Sequence, residues 1–286
     1  MDRNDFMIFK WGKILWPLAA FSIFLSGCND LTEKKAKREA TAEEMYLSAD
    51  AKLKDNLNAE AASLFAAVER QYPYSEWAKK SLLMSAIANH NGAFYEESRA
   101  DAERYLDFYP ADVDAAHAQY LIALSYYDQI DNVSRDQSVT FSALQAFRTV
   151  IERYPNSEYT SPSLLKFDLS LDHLAGAEME VGRYYLKRGH FGAAISRFRV
   201  VVEEFETTSH TPEALHRLVE SYLSLGLIAN AQTTGAILGH NFQASDWYKD
   251  TYVLLTGRGI STEAVNENSS NWLTKIWRNV TPKKRL

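Results

Sequence analysis

A stretch in the second half of the chain decides the fold: Val181-Gly182-Arg183-Tyr184-Tyr185-Leu186-Lys187-Arg188-Gly189-His190-Phe191-Gly192-Ala193-Ala194. Gly189 is placed to turn the chain, because glycine adopts the left-handed backbone that ends many helices. Gly182 before the turn and Ala194 after it are small enough for two helices to approach closely. The aromatic side chains of Tyr185 and Phe198 fill the space beside them. The pattern predicts two short helices joined by a turn at Gly189.

The same arrangement recurs along the chain. Small and aromatic residues take matching offsets in four further segments, and several segments end in an aromatic-proline pair such as Tyr72-Pro73. Pro73 and Pro110 are 37 residues apart, close to the period of about 34 residues in tetratricopeptide repeats. Repeats are predicted at about 42–75, 79–112, 116–157, 175–207 and 212–245, inside a repeat domain that spans 42–255.

No stretch of useful length alternates apolar and polar residues as a β-strand would. The predicted fold is therefore all-α, with about five tetratricopeptide-like helix-turn-helix repeats stacked as a short right-handed superhelix. Extra residues around Asp128–Arg135 are predicted to form an exposed loop in the third repeat. Amphipathic spacing across Pro162–Ala175 favours an extended helix between the third and fourth repeats.

The N-terminal segment has the features of a signal peptide. Lys10 and Lys13 precede an uncharged apolar run that ends at Gly27 and is shorter than the roughly 18–20 residues that cross a bilayer. Leu25-Ser26-Gly27-Cys28 resembles the bacterial lipobox, which implies cleavage before Cys28 and a diacylglyceryl and N-acyl lipid on that residue. The alternative is a plain signal peptide with a chance cysteine. Residues 1–27 are thus predicted to be removed, and 28–41 to form a lipidated tether.

Composition excludes several classes of function. The net charge of −6 argues against general nucleic-acid binding, which requires lysine and arginine to neutralise phosphates. Cys28 is the only cysteine, so neither a disulfide framework nor a cysteine-based zinc site is possible. The seven histidines are scattered, and no nucleophile, nucleotide-binding or zinc-hydrolase motif is present. The sequence therefore predicts no catalytic residue, no metal ligand and no cofactor apart from the covalent lipid.

The first helices of stacked repeats line the concave face of such a superhelix. In the first two repeats this face combines apolar and polar side chains with an aromatic anchor, which suits an extended peptide. The predicted substrate-groove residues are Tyr46, Asp50, Leu83, Ile87 and His90.

The fourth repeat is rich in arginine near its exposed edges. Arginine is favoured in protein interfaces because its planar head pairs with carboxylates through two hydrogen bonds. The alternative for each of these arginines is a solvated helix face. The predicted partner-binding residues are Arg183, Arg188, Arg197 and Arg199.

The last segment, residues 256–286, differs from the repeats. Its apolar residues can share one helical face, and its charged residues are mostly basic on an otherwise acidic chain. The apolar set is Trp272, Leu273, Ile276, Trp277 and Val280, and the basic set is Lys275, Arg278, Lys283, Lys284 and Arg285. A packed C-terminal cap, a helix that binds a partner or a membrane surface, and a disordered tail all remain open.

A lipobox followed by five tetratricopeptide-like repeats resembles the BamD family, also called ComL or YfiO, over roughly Leu25 to Leu255. The most specific matches are Phe65-x-x-Val68-x-x-x-Tyr72-Pro73-Tyr74-Ser75, Tyr154-Pro155-Asn156-Ser157 and Val181-Gly182-Arg183-Tyr184-Tyr185-x-x-Arg188-Gly189. The segment after Gly259 departs from the family pattern.

The resemblance implies a non-catalytic lipoprotein of the β-barrel assembly machine, or BAM complex, on the periplasmic face of a Gram-negative outer membrane. Its C-terminal repeats would bind the periplasmic domains of BamA, with Arg197 as the favoured contact, and other BAM lipoproteins would be partners. Its N-terminal repeats would recognise unfolded outer-membrane proteins. The alternative is a periplasmic tetratricopeptide adaptor for cell-division or peptidoglycan enzymes.

Overall fold

The computed structural model describes residues 39–262, which form eleven α-helices and no β-strand. The prediction of an all-α helical-repeat fold is therefore confirmed. The helices are α1 Ala42–Lys54, α2 Asn58–Gln71, α3 Glu76–Asn91, α4 Tyr95–Phe108, α5 Ala115–Tyr127, α6 Ser138–Arg153, α7 Thr160–Lys187, α8 Phe191–Glu204, α9 Thr211–Ser224, α10 Ile228–Asn241 and α11 Asp246–Thr256.

Each helix packs on the next one along the chain, which gives five antiparallel hairpins from α1–α2 to α9–α10, followed by α11. The odd-numbered helices also contact one another, as α1 with α3, α3 with α5, α5 with α7 and α9 with α11. One row of helices therefore runs along the inner side of the repeats, and the even-numbered helices form a second row. This is the arrangement in which a hairpin buries its apolar face only by stacking on its neighbours.

Four of these hairpins turn at one residue with a left-handed backbone. Gly189 and Gly226 take φ values of 75° and 72°, where glycine has no strain. The first two hairpins place Asn56 and Ala93 at the same point, with φ values of 59° and 60°. Because an L-residue in this conformation costs about 1–2 kcal/mol, Ala93 carries strain that the glycines avoid.

The fourth hairpin shows the close helix approach that the sequence predicts. Ala194, Phe198 and Val201 are fully buried on α8. A Cβ atom on Gly182 of α7 would lie only 2.5 Å from Cε1 of Phe198, so no larger residue fits there without movement. Gly182 is therefore a packing residue and not a hinge.

Helix α7 is one continuous helix of 28 residues, and the Pro162–Ala175 segment covers most of its first half and ends just past its middle. Phe167 on this half packs against both the core of α3–α6 and the core of α6–α11. The loop between α5 and α6 is mostly exposed, but Val133 is half-buried, and its Cγ1 lies 3.6 Å from the Cβ position of Gly176. The extra residues of the third repeat therefore brace the middle of α7.

Candidate functional site

The two predicted groove residues on α1 lie beside an aromatic cluster. The ring centroid of Tyr46 is 5.4 Å from that of Phe65 on α2 and 4.9 Å from that of Trp77 on α3. Burial, followed by repulsion from Asp50, raises the pKa of the Tyr46 phenol. The Asp50 carboxylate pairs with Lys54 at 2.6 Å. Tyr46 and Asp50 thus lie together at the junction of the first two repeats.

The three predicted groove residues on α3 are engaged mainly in packing. Leu83 is only 7 % exposed and belongs to the core of α3–α6, against which Ile87 also packs. His90 Nε2 lies 3.2 Å from Asp128 Oδ2 at the end of α5, and its ring meets the edge of Tyr95. These side chains have little exposed surface left for a ligand. They contribute to the packing of the inner side of the repeats more than to a binding surface there.

A better-formed opening lies between the even-numbered helices of the first two hairpins. A cleft of ≈ 610 Å³ separates the ends of α2 and α4, and the buried side chains of Ala78 and Leu82 on α3 are among its lining residues. Of the three aromatic side chains that line this cleft, Tyr109 is half-buried, whereas Tyr74 is fully exposed and Phe108 is 63 % exposed. A second cleft of ≈ 450 Å³ continues between the same helices and shares Ala66 with the first.

The sequence contained a signal for this cleft. Tyr74 and Phe108 both stand beside the aromatic-proline pairs that mark the repeat ends, outside the period of buried residues. The repeat pattern explains the prolines and the buried aromatic residues but not the extra exposed ones. Exposed aromatic side chains of this kind are common anchors in protein recognition.

The charges at the cleft are partly paired. Arg104 on α4 reaches across to Glu69 on α2, with Nη2 to Oε2 at 2.7 Å, and also contacts Asp101 at 3.3 Å. Arg70 is exposed at the cleft and makes no ion pair with another side chain of residues 39–262. Arg70 and the exposed aromatic side chains of this cleft can therefore accept a peptide that offers a carboxylate and an aromatic side chain.

Three of the four predicted partner-binding arginines pair with carboxylates, and two of these three lie on α8. Arg197 Nη1 on α8 lies 3.1 and 3.3 Å from the two carboxylate oxygens of Glu178 on α7. Arg199 pairs with Glu203 one turn further along α8 at 2.6 Å. Both guanidinium groups remain partly exposed, so a partner carboxylate can reach them only in competition with these internal partners.

The other two arginines lie on or next to α7. The guanidinium carbon of Arg188 is 4.5 Å from the ring centroid of the exposed Tyr184. Arg183 Nη1 reaches Glu213 on α9 at 3.1 Å, and the same carboxylate lies 3.4 Å from Arg217. Arg183 therefore joins α7 to α9, whereas Arg188 and Tyr184 form an exposed pair.

A polar cluster extends from α9 to α11. Arg217 pairs with Glu220 at 2.8 Å and lies over the ring of Trp247 on α11. Burial acts to raise the pKa of Glu220, but hydrogen bonds from His216 and Arg217 outweigh it and leave the pKa below its usual value. His216 Nδ1 lies 2.7 Å from the Thr251 hydroxyl oxygen. This cluster holds α11 in place and leaves little of its charge for a partner.

Within residues 39–262, no group of histidine, cysteine, aspartate or glutamate side chains is arranged to hold a metal ion. In the same part of the chain, no helix is both long and apolar enough to cross a membrane. Cys28, the 1–27 segment and residues 263–286 lie outside the described residues.

The comparisons with known proteins agree with one another. A model of the YfiO family, described as an outer membrane lipoprotein, matches residues 38–237, from just before α1 into α10. An outer membrane protein assembly factor BamD from Caulobacter vibrioides is 50% identical over 201 residues, which are 70% of this chain and 66%, just under two thirds, of that protein.

More distant relatives carry the same name. The BamD of Rickettsia prowazekii is 39% identical over 248 residues, 86% of this chain and 98% of that protein. The BamD of Neisseria meningitidis serogroup A is 28% identical over 247 residues, 82% of this chain and 92% of that protein. A solved structure of PilW, a type IV pilus biogenesis factor, overlaps 74% of this chain and 98% of PilW with 12% identity and a TM-score of 0.30.

Proposed function

Because this chain belongs to the YfiO family of outer membrane lipoproteins, which includes the BamD assembly factors, we propose that it is a non-catalytic subunit of the β-barrel assembly machine. In this role it scaffolds BamA and recognises unfolded outer-membrane proteins for folding and insertion. The observation that carries the proposal is the family match across residues 38–237, because these residues include nearly all of the five hairpins.

The anchor in this proposal is the lipid on Cys28. A chain held by several acyl groups stays on the membrane far more firmly than one held by a single group. Replacing Cys28 with alanine should leave an uncleaved or mis-sorted precursor, and mass spectrometry should find no lipid on the product. An unmodified mature N-terminus elsewhere in the wild-type protein would argue against the anchor.

Recognition of the unfolded substrate is assigned to the first two hairpins. The cleft between α2 and α4 supports this part of the proposal, because it combines exposed Tyr74 and Phe108 with Arg70, which makes no ion pair within residues 39–262. Tyr46 and Asp50 offer a second surface on α1, at the junction of the first two repeats. An unfolded barrel strand carries alternating apolar and aromatic side chains, which suit such openings.

Binding of BamA is assigned to the C-terminal hairpins. Arg197 and Arg188 are partly exposed there, and each is already oriented by a neighbour, Glu178 or Tyr184. A guanidinium that is held in one geometry loses less conformational entropy when a partner carboxylate binds.

Depletion of the protein tests the function as a whole. Folded barrel proteins in the outer membrane should fall as the chain is depleted, while their unfolded forms accumulate in the periplasm. The alternative adaptor role predicts instead that barrel assembly continues and that septation or peptidoglycan turnover fails first.

A further inference from the structure

Helix α11 ends the described repeats with one face uncovered. Phe205 and Phe242 occupy the same position at the ends of α8 and α10, which aligns α9 with α11. By this alignment Tyr252 on α11 corresponds to Leu215 on α9. Leu215 is fully buried in an array where α10 follows and packs on α9, whereas Tyr252 is 47 % exposed. Tyr252 thus holds a position that a following helix covers in the preceding hairpin.

A second position on α11 shows the same difference. Val253 corresponds to His216, which is 5 % exposed because α11 packs on α9. Val253 itself is 68 % exposed. A helical-repeat array needs a polar outer face or a capping segment at its end, because an apolar face left in water promotes association. Tyr252 and Val253 are thus an interface without an occupant among residues 39–262.

The chain leaves α11 beside this core. The Ile260 N–H donates to the Leu255 carbonyl oxygen at 3.1 Å, and the Gly259 N–H donates to that of Thr256 at 2.9 Å. With Gly259 at a φ of 72°, these two bonds form a Schellman motif, which reverses the chain at a helix end. Ile260 then packs against the same core as Leu255. The following segment therefore starts close to the uncovered face.

The chain that follows has the composition of a capping helix. Its apolar residues Trp272, Leu273, Ile276, Trp277 and Val280 recur at the spacing of one helical face. Nine residues lie between Thr262 and Trp272, and the ten Cα–Cα steps across them span up to about 35 Å, twice the roughly 16 Å length of α11. The segment also carries Lys275 and Arg278, opposite in charge to the exposed Asp246 and Asp250 of α11.

We propose that residues 272–280 dock within the same molecule on the face of α11 around Tyr252 and Val253 and cap the repeat array. Helix α11 and residues 272–280 both lie beyond residue 237, where the match to the family model ends. The cap covers the end of the array without using the surfaces assigned to BamA or to substrate. The tail is then part of the folded domain and is not a free membrane or partner ligand.

Hydrogen–deuterium exchange on the full-length protein in detergent tests the cap. The double substitution Trp272→Glu and Trp277→Glu should speed amide exchange in residues 246–256 at least tenfold and leave α1–α4 unchanged. The control is Asn271→Glu with Thr274→Glu, which adds the same charge away from the apolar set and should behave like the wild type. Unchanged exchange of α11 in the tryptophan variant would overturn the proposal.

A pair of introduced cysteines tests which segment occupies this face of α11. Tyr252→Cys with Ile276→Cys should form a disulfide within one chain, whereas Leu47→Cys on α1 with Ile276→Cys should not. Disulfides that form only between two chains would contradict the proposal and show a second copy in the same place. Neither experiment includes another protein, so their outcome is independent of the proposed function.

Discussion

Arg197 on α8 and Glu178 on α7 form a two-oxygen ion pair, with Nη1 at 3.1 and 3.3 Å from the carboxylate oxygens. The pair is partly exposed, so its own contribution to stability is small, about 0–1 kcal/mol. Its consequence is geometric, because it fixes the guanidinium on the surface of the fourth hairpin. A binding role for Arg197 can therefore be separated from its role in the pair.

The first prediction uses that separation. Arg197→Glu should weaken binding of purified BamA periplasmic domains at least tenfold, because it removes the cation and adds a charge that repels the partner. Glu178→Gln breaks the same pair but keeps Arg197, and should change the affinity less than threefold. Calorimetry on both variants checks this. Equal losses would show that Arg197 acts only through the pair.

The second prediction concerns the cleft between α2 and α4. Tyr74→Ser with Phe108→Ser should weaken binding of a C-terminal barrel peptide about tenfold, the loss of roughly 1.4 kcal/mol. Both side chains are exposed, so the thermal midpoint should stay the same. Tyr46→Ala is the variant to compare with this pair, because Tyr46 lies on α1 at the inner side of the repeats and not in the cleft. Both sets of variants should retain BamA binding, and fluorescence anisotropy with a labelled peptide gives the affinities.

The third prediction compares two helical glycines. Gly182→Ala should lower the free energy of unfolding by about 1–3 kcal/mol, because its Cβ would lie 2.5 Å from Phe198. A Cβ atom on Gly192 would meet nothing within 4 Å, so Gly192→Ala should raise the free energy of unfolding by up to about 1 kcal/mol through helix propensity. Urea unfolding measures both. Equal effects of the two substitutions would mean that the α7–α8 packing is wrong.

The fourth prediction concerns the strained turn of the second hairpin. Ala93→Gly should stabilise the protein by about 0.5–1 kcal/mol, because it relieves roughly 1–2 kcal/mol of left-handed strain and costs part of this in chain entropy. Asn56→Gly should stabilise the protein less, because asparagine tolerates the left-handed conformation. Gly189→Ala should be destabilising. Thermal unfolding of the three variants gives the order of their stabilities. A midpoint for Ala93→Gly below that of the wild type would contradict the turn assignment.

The fifth prediction is a pH dependence centred on Asp112. Hydrogen bonds from Lys79, the Asp114 N–H and the Tyr105 hydroxyl lower the pKa of the Asp112 carboxyl to about 2. A lowered pKa in the folded state adds stability above the unfolded pKa of about 3.9, and this stability is lost as the pH falls from there towards 2. Asp112→Asn should remove that part of the acid dependence. Asp246→Asn should have a much smaller effect, because water screens the exposed pair with Lys249 that lowers the pKa of Asp246.

The sequence predicted the hairpins because their signals are local. Gly182, Gly189 and Ala194 lie within one repeat, where small residues permit close helix approach and glycine permits the left-handed turn. The sites were harder to predict, because they depend on contacts between repeats. Helical period does not distinguish a groove position from a core position on α3, so Leu83 was predicted in the groove and lies buried. The partner of Arg197 is 19 residues away on another helix, and no local spacing indicates it.

Co-purification after mild detergent extraction tests the central claim most directly. Affinity purification of the full-length, membrane-bound protein from its own cells should recover BamA as a main partner, together with other lipoproteins of the assembly machine. The Arg197→Glu variant, extracted in parallel, should recover less BamA. Recovery of a peptidoglycan hydrolase or a cell-division protein without BamA would contradict the account.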